Sequence, residues 1–287
     1  MAKPEFTMKT SENRSVSVSR ALDMLRASEY EVAVTDFYSP GEIMEIYAEL
    51  CTVAGGAQRC FFWGGAVGAE RRAAVFLPEW YMPDDAPKHS MPNDAERCAF
   101  FAAYLEEHPE IADEIPIRTL SVKGSSFREL GHRDYMGSIL SLGIDRSVVG
   151  DIAVVSPSEA VVFVSSRIAP YIESELTKIG RDGVSVTDAK TDPVWEIPRR
   201  FCDMPVVVSS PRLDGIVKAI TGKSREDAAD LVRSGLVELS YAVTDNVSAE
   251  VKEGDVISVR GYGKFLVGAV TGETKSGRLR INCRKYM

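Results

Sequence analysis

The sequence predicts an α+β protein in three parts: an N-terminal α/β unit (residues 8–82), a central ferredoxin-like βαββαβ domain (93–190) and a C-terminal domain of two helices and a small sheet (204–287). Three observations carry this. A proline-rich stretch, with Pro83, Pro87 and Pro92, separates the first part from the second. Between residues 117 and 189 the hydrophobic pattern runs strand, helix, strand, strand, helix, strand. Residues 209–261 hold two short amphipathic helices followed by period-two runs. A chain of 287 residues is long enough for two or three domains with cores of their own.

Residues 8–27 pattern as a polar lead and a helix with Leu22 and Leu25 inward, and 31–39 as a strand. Pro40 opens a helix to about Ala54, with Ile43, Met44, Tyr47 and Leu50 at helical spacing and Gly55-Gly56 as its stop. Cys60-Phe61-Phe62-Trp63 and Ala73 to Leu77 form a hairpin across Gly64-Gly65-Ala66-Val67-Gly68. That glycine cluster lacks the Lys-Ser/Thr ending of a phosphate loop and opens no helix, so it reads as a turn. The aromatics at 61–63 sit in an unbroken apolar run and read as core.

A helix from Asn93 to His108 leads into strand 117–123, helix 133–142, strands 150–155 and 160–165, helix 168–179 and strand 184–189. RNA-binding versions of this arrangement display aromatics on their central strands. Here Phe163 stands alone in Val161-Val162-Phe163-Val164 and reads as core, so no base stacking is assigned to this part. Residues 191–204, with Pro193, Pro198, Arg199 and Arg200, read as a linker.

In the third part Ser210 is a candidate cap with Pro211 in the first turn. Leu213, Ile216, Val217 and Ile220 form the helix stripe, and Gly222 stops it. Ser224 caps a second helix with Ala228, Leu231 and Val232 inward and Gly235 at its end. Val237, Leu239 and Tyr241 alternate as a strand; Val256 to Arg260 is another, after the Gly254-Asp255 turn. A last hairpin pairs Lys264–Thr271 with Arg278–Arg284 around Lys275-Ser276-Gly277. Leu279, Ile281 and Cys283 share one of its faces; Arg278, Arg280 and Arg284 share the other.

The formal net charge of −8 is unevenly spread. Residues 1–198 carry 19 Lys/Arg against 31 Asp/Glu, residues 199–287 carry 15 against 11, and residues 260–287 carry seven against one. Contact with a polyanion is therefore expected at the C-terminal end. Cys51, Cys60, Cys98, Cys202 and Cys283 show no paired spacing, so free thiols are expected, with no metal and no cofactor. No apolar run approaches the ~20 residues of a membrane span and no leader pattern is evident, so a cytoplasmic location is expected. Met1 to Thr7 read as an appended lead before Met8.

The order and spacing of Arg212-Leu213-Asp214, Ser224-Arg225, Ala228, Leu231, Gly235, Val237 and Gly254-Asp255 resemble the RNA-binding domain named after ribosomal protein S-four. Where such modules often carry a tight Asn-Gly turn, this chain runs Leu239-Ser240-Tyr241-Ala242. Together with His132-Arg133-Asp134, the run Leu142-Gly143-Ile144…Arg146…Gly150-Asp151, and Val259 to Phe265, the chain resembles the YlmH family of bacterial RNA-binding proteins. That resemblance implies association with ribosomal RNA, or with tRNA, and the handling of large ribosomal subunits blocked by unfinished peptidyl-tRNA.

RNA backbone is a dense line of negative charge, and arginine pairs with phosphate through a planar fork. Arg212 and Arg225 are expected contacts because both sit at helix starts, where unpaired backbone N–H groups also favour anions. Ser224, Lys218 and Arg233 are further candidates. Arg260, Lys264, Lys275, Arg278, Arg280 and Arg284 form a basic ridge interrupted by a single acid, Glu273. No catalytic residue is assigned. The Arg-Leu-Asp triplet belongs to the binding module itself, no glycine-rich turn is placed for a methyl-donor cofactor, and adjacent His132 and Asp134 do not face each other on a helix. The alternatives are an RNA-modifying enzyme of pseudouridine synthase or methyltransferase type, and an interaction scaffold whose acidic N-terminal region docks a protein partner.

Overall fold

The structure, a computed structural model, describes residues 15–87, 95–125 and 128–286. The lead at Met1–Thr7, Pro92 and the helix start at Asn93 lie outside the described residues. The chain divides into two compact units, one up to Pro198 and one from Arg199.

In the first unit, helix α1 (Val16–Ala27) starts at Ser15, whose Oγ accepts from Val18 N, and buries Val18, Ala21, Leu22 and Leu25. Strand β1 (Ala33–Tyr38) follows, then α2 (Pro40–Leu50). Ser39 and Glu42 cap α2 reciprocally, each accepting from the other's backbone N–H. This helix ends at Leu50, short of the expected Ala54, because Thr52 N and Val53 N tighten onto Glu49 O and Leu50 O. Strands β2 (Cys60–Trp63) and β3 (Arg72–Phe76) complete an antiparallel sheet in the order β1-β3-β2.

Both faces of that sheet are covered. Cys60, Phe62, Ala74 and Phe76 pack against α1 and α2. Phe61, Trp63, Val75 and Leu77 pack against α3 (Ala95–Glu107) and α4 (Pro109–Glu114) through Cys98, Phe101, Leu105 and Ile111. Double burial explains why residues 60–63 are apolar without alternation. The sequence pattern groups the helix after Pro92 with the central strands, whereas α3 packs on this first sheet.

The second sheet of the unit is built from β4 (Ile117–Gly124), α5 (His132–Leu140), β5 (Val149–Ser156), β6 (Glu159–Ser165), α6 (Ala169–Glu175), β7 (Lys178–Ile179) and β8 (Asp182–Asp188). Its order is β5-β6-β4-β8-β7, antiparallel throughout. Helix α6 stops at Glu175 rather than 179, because Lys178-Ile179 turn back on β8 through Gly180, which adopts φ +61°. One face is filled by α5 and α6, with Tyr135, Ile139 and Ile172 fully buried. The other face presents Ala153, Val161 and Phe163 to Phe37, Ala66, Ala69 and Ile197.

Glycines and buried charges join the two sheets. Gly65, at φ +94°, lies so close to Phe163 that an added Cβ would stand 2.4 Å from its Cδ1. The expected turn at 64–68 is therefore also a packing surface. Asp151 accepts from Glu70 N (2.6 Å) and Arg71 N (3.1 Å). The Arg71 guanidinium donates to Val149 O, Phe37 O and Arg146 O, while Arg146 folds back onto Val149 O and Gly150 O. Burial, and then repulsion from Arg71, bring the Arg146 pKa down to about 10, so Arg146 remains a cation at neutral pH. Trp195 and Ile197, expected in a linker, are held by Val67, whose N–H reaches Trp195 O and whose carbonyl accepts from Ile197 N. Gly65→Ala is expected to destabilise this unit by about 3 kcal/mol, left-handed strain and overpacking together. A denaturant midpoint measurement checks it.

The second unit comprises β9 (Phe201–Val208), α7 (Leu213–Thr221), α8 (Arg225–Arg233), β10 (Val237–Leu239), β11 (Ala242–Val243), β12 (Val256–Val259), β13 (Gly263–Glu273) and β14 (Leu279–Tyr286). They form one antiparallel sheet, β11-β10-β12-β13-β14-β9, with α7 and α8 over one face. Strand β9 corrects the linker expected at 191–204: it pairs with β14 from Phe201↔Tyr286 to Val208↔Leu279. Pro205 disguised it, and is tolerated because β9 is an edge. Helix α7 begins two residues later than a Ser210 cap would place it. Arg212 is its cap residue, and the N–H groups of Leu213 and Asp214 donate to Ala249 O and Val247 O instead of to a side chain. Ser240 (φ 46°) and Tyr241 (φ 69°) make the two-residue β10–β11 turn with both residues left-handed, the geometry Asn-Gly usually supplies. Bonds from Ser240 N to Val256 O and from Ser240 Oγ to Asp255, both 2.7 Å, hold it.

Candidate nucleic-acid interface

The starts of α7 and α8 meet at one carboxylate. Asp214 is only 4% exposed. Its Oδ1 accepts from Arg212 Nε (3.2 Å) and Gly215 N (2.9 Å), and its Oδ2 from Arg225 Nε (3.0 Å). Burial alone would raise the Asp214 pKa, but the bonds from Arg212 and Arg225 and their charges outweigh it and hold the carboxyl below the usual range. The carboxylate fixes both arginines through one edge of each guanidinium. The side chains stay 41% and 60% exposed, so their other donors face solvent at two helix starts. The fixed pair has the geometry to take a phosphate.

Ser224 is exposed, and its Oγ accepts from Asp227 N (3.1 Å) as the cap of α8. Lys218 is exposed on the last turn of α7. Arg233 is exposed but bonded to Asp230 (2.7 Å) one turn earlier, a surface pair of small energetic weight.

The six cations of the expected ridge do not lie together beside the helices. Val206, Phe265, Val267, Ile281 and Cys283 point into the core under α7 and α8. By the two-residue period, Lys264, Arg280 and Arg284 lie on the opposite face of the sheet. They are also divided along the hairpin. Lys275, Arg278 and Arg280 are exposed toward its tip, whereas Lys264 and Arg284 are half-buried toward its base; at ~3.3 Å per residue Arg284 stands roughly 13 Å from Arg280 and roughly 20 Å from Arg278. Arg260 is exposed in the β12–β13 turn at the base.

Comparison with known proteins points to a different segment. A family model described as "Putative RNA-binding domain in YlmH" matches residues 112–192. The protein "Ribosome-associated protein quality control protein P2" of Bacillus subtilis (strain 168) is 28% identical over 270 residues, spanning 92% of each chain. A solved structure, "Cell division protein ylmH from Streptococcus pneumoniae", aligns with a TM-score of 0.45 at 18% identity, over 64% of this chain and 95% of that one.

None of the eleven cations and hydroxyls expected from sequence lies in the matched segment. That segment has 9 Lys/Arg against 12 Asp/Glu, so charge gave no signal. Four of these nine cations are in ion pairs: Arg118 with Glu173 and Asp188, Lys123 with Glu159, Arg128 with Asp134 and Asp182, Arg167 with Asp36. Arg133, Lys178, Arg181 and Lys190 are exposed. Asp134 accepts from Gly131 N, so the His-Arg-Asp start is a helix cap, and Arg146 and Asp151 serve the junction between the two sheets. Phe163 is fully buried, with Trp195 against it (ring centroids 6.2 Å apart). Among the described residues no group of three or more His, Cys, Asp or Glu is placed to hold a metal ion.

Proposed function

We propose that this chain is a non-catalytic RNA-binding protein that associates with ribosomal RNA or tRNA on the large ribosomal subunit, in quality control of subunits blocked by peptidyl-tRNA. The observation that carries the reading is the arginine pair fixed on buried Asp214 at two adjoining helix starts. The match of residues 112–192 to a domain described as RNA-binding, and the similarity to a ribosome-associated quality-control protein, support it. In this reading Arg199–Tyr286 forms an S-four-type module, and the strand order β5-β6-β4-β8 is that of a ferredoxin-like domain. The N-terminal sheet and its four helices are the third part. The protein works in the cytoplasm without a cofactor, and the acidic first unit is the surface available to a protein partner.

The test is the salt dependence of binding to a ribosomal RNA hairpin. Arg278→Ala with Arg280→Ala should flatten the slope of log K against log salt by roughly 1.4–1.8 units, at ~0.7–0.9 per phosphate contact. An unchanged slope removes the hairpin tip from the interface. Failure of the full chain to bind any ribosomal RNA or tRNA would overturn the function.

A further inference from the structure

The sheet face of the second unit that points away from α7 and α8 carries a row of rings and cations that RNA phosphate binding does not require. Phe201 and Tyr286 are cross-strand partners with ring centroids 4.8 Å apart. Lys264, next across the sheet, places its Nζ 5.1 Å from the Tyr286 ring and 4.6 Å from the Tyr241 ring. Arg284 lies over Phe201 at 4.6 Å. Arg199 lies over Tyr286 at 5.7 Å and donates to its hydroxyl at 3.2 Å. All three rings are half-buried rather than core, and Tyr241 is held out in a turn of left-handed residues.

Single rings on a half-buried strand are ordinary, but here three stand in line among cations, and Tyr241 occupies a left-handed turn position that glycine or asparagine would take without strain. What the row offers is π-faces spaced among fixed positive charges. Bases stack on such rings without regard to sequence, while the cations neutralise the phosphates between them. A polyanion with flat, uncharged bases fits both features.

We infer that this face is a second RNA site, which takes unpaired nucleotides by stacking on Phe201, Tyr286 and Tyr241 while Arg199, Lys264 and Arg284 meet their phosphates. This rests on the RNA-binding function proposed above, but uses a different surface from the Arg212–Arg225 pair. Duplex RNA, whose bases are already stacked, would use the helix starts; a single-stranded tail beside it would use the sheet.

The experiment compares two RNAs on the full chain: a closed stem-loop, and the same stem-loop with a six-nucleotide unpaired tail containing 2-aminopurine. The tail should tighten binding roughly fivefold or more, the effect of at least one stacked base, and the 2-aminopurine fluorescence should be quenched on binding. Tyr286→Leu with Tyr241→Leu, which keeps apolar bulk, should abolish the increment and the quenching while leaving the stem-loop affinity unchanged. Arg212→Ala with Arg225→Ala should weaken stem-loop binding and spare the increment. If the stem-loop binds and the tail adds nothing, or if the leucine variant keeps increment and quenching, the second site is overturned and the proposed function stands. If neither RNA binds, both fall.

Discussion

Replacing Arg212 and Arg225 together with alanine is expected to weaken binding to a ribosomal RNA hairpin by roughly a hundredfold or more at fixed salt. Each guanidinium would contribute a charge-assisted bond to phosphate of ~1.5–3 kcal/mol. The same change should lower the stability of the second unit by about 2–3 kcal/mol, because it strands the Asp214 carboxylate at 4% exposure without its cations. That figure sits below the usual cost of breaking a buried pair because both arginines are partly in water. Adding Asp214→Asn removes the stranded charge, so the triple variant should recover most of the stability and none of the affinity. Urea midpoints and titrations of all three proteins decide it; recovery of both quantities together would mean that the arginines act only on folding. The depressed Asp214 pKa fixes the direction with pH. The pair's contribution to stability is complete above the ordinary aspartate range and is lost as pH falls through the depressed value.

Asp151→Asn should destabilise the first unit by about 3 kcal/mol. The carboxylate accepts from two backbone N–H groups, and an amide turned toward them offers a donor where an acceptor is required. The change also removes the negative charge facing Arg71 and Arg146, whose pKa values burial already lowers. In a unit of this size that amounts to a fall in melting temperature of roughly 6–12 °C by circular dichroism. A fall under ~1 °C would show that the backbone carbonyls alone satisfy the two arginines.

Much of this architecture was legible because local rules and tertiary packing agree. The stripe Leu213, Ile216, Val217, Ile220 is buried as its spacing requires, and Gly222 adopts φ +70° at the end of α7. The alternating burial of β14 is also visible in the sequence, with Ile281 and Cys283 inward. What escaped was decided at a distance. Strand β9 owes its existence to β14, some eighty residues away, and Pro205 masks it locally. The cap of α7 is supplied by carbonyls of residues 247 and 249, which no window around Ser210 contains. At the candidate site, sequence picked out Arg212 and Arg225 by their place at helix starts but placed Asp214 only within the module's Arg-Leu-Asp triplet. The convergence of both arginines on one carboxylate requires two helices in three dimensions. The spread of the basic ridge was not legible either: charges close in sequence are distributed by an extended hairpin along its length.

The junction of the two sheets in the first unit has a practical consequence. Val161 and Phe163 are roofed by Phe37, Ala66, Ala69 and Ile197, which come from before and after the segment 112–192. A fragment trimmed to that segment would turn this greasy underside to water, and it would clump before its nucleic-acid chemistry could be assayed. The smallest piece worth expressing for that purpose runs from α1 through Ile197.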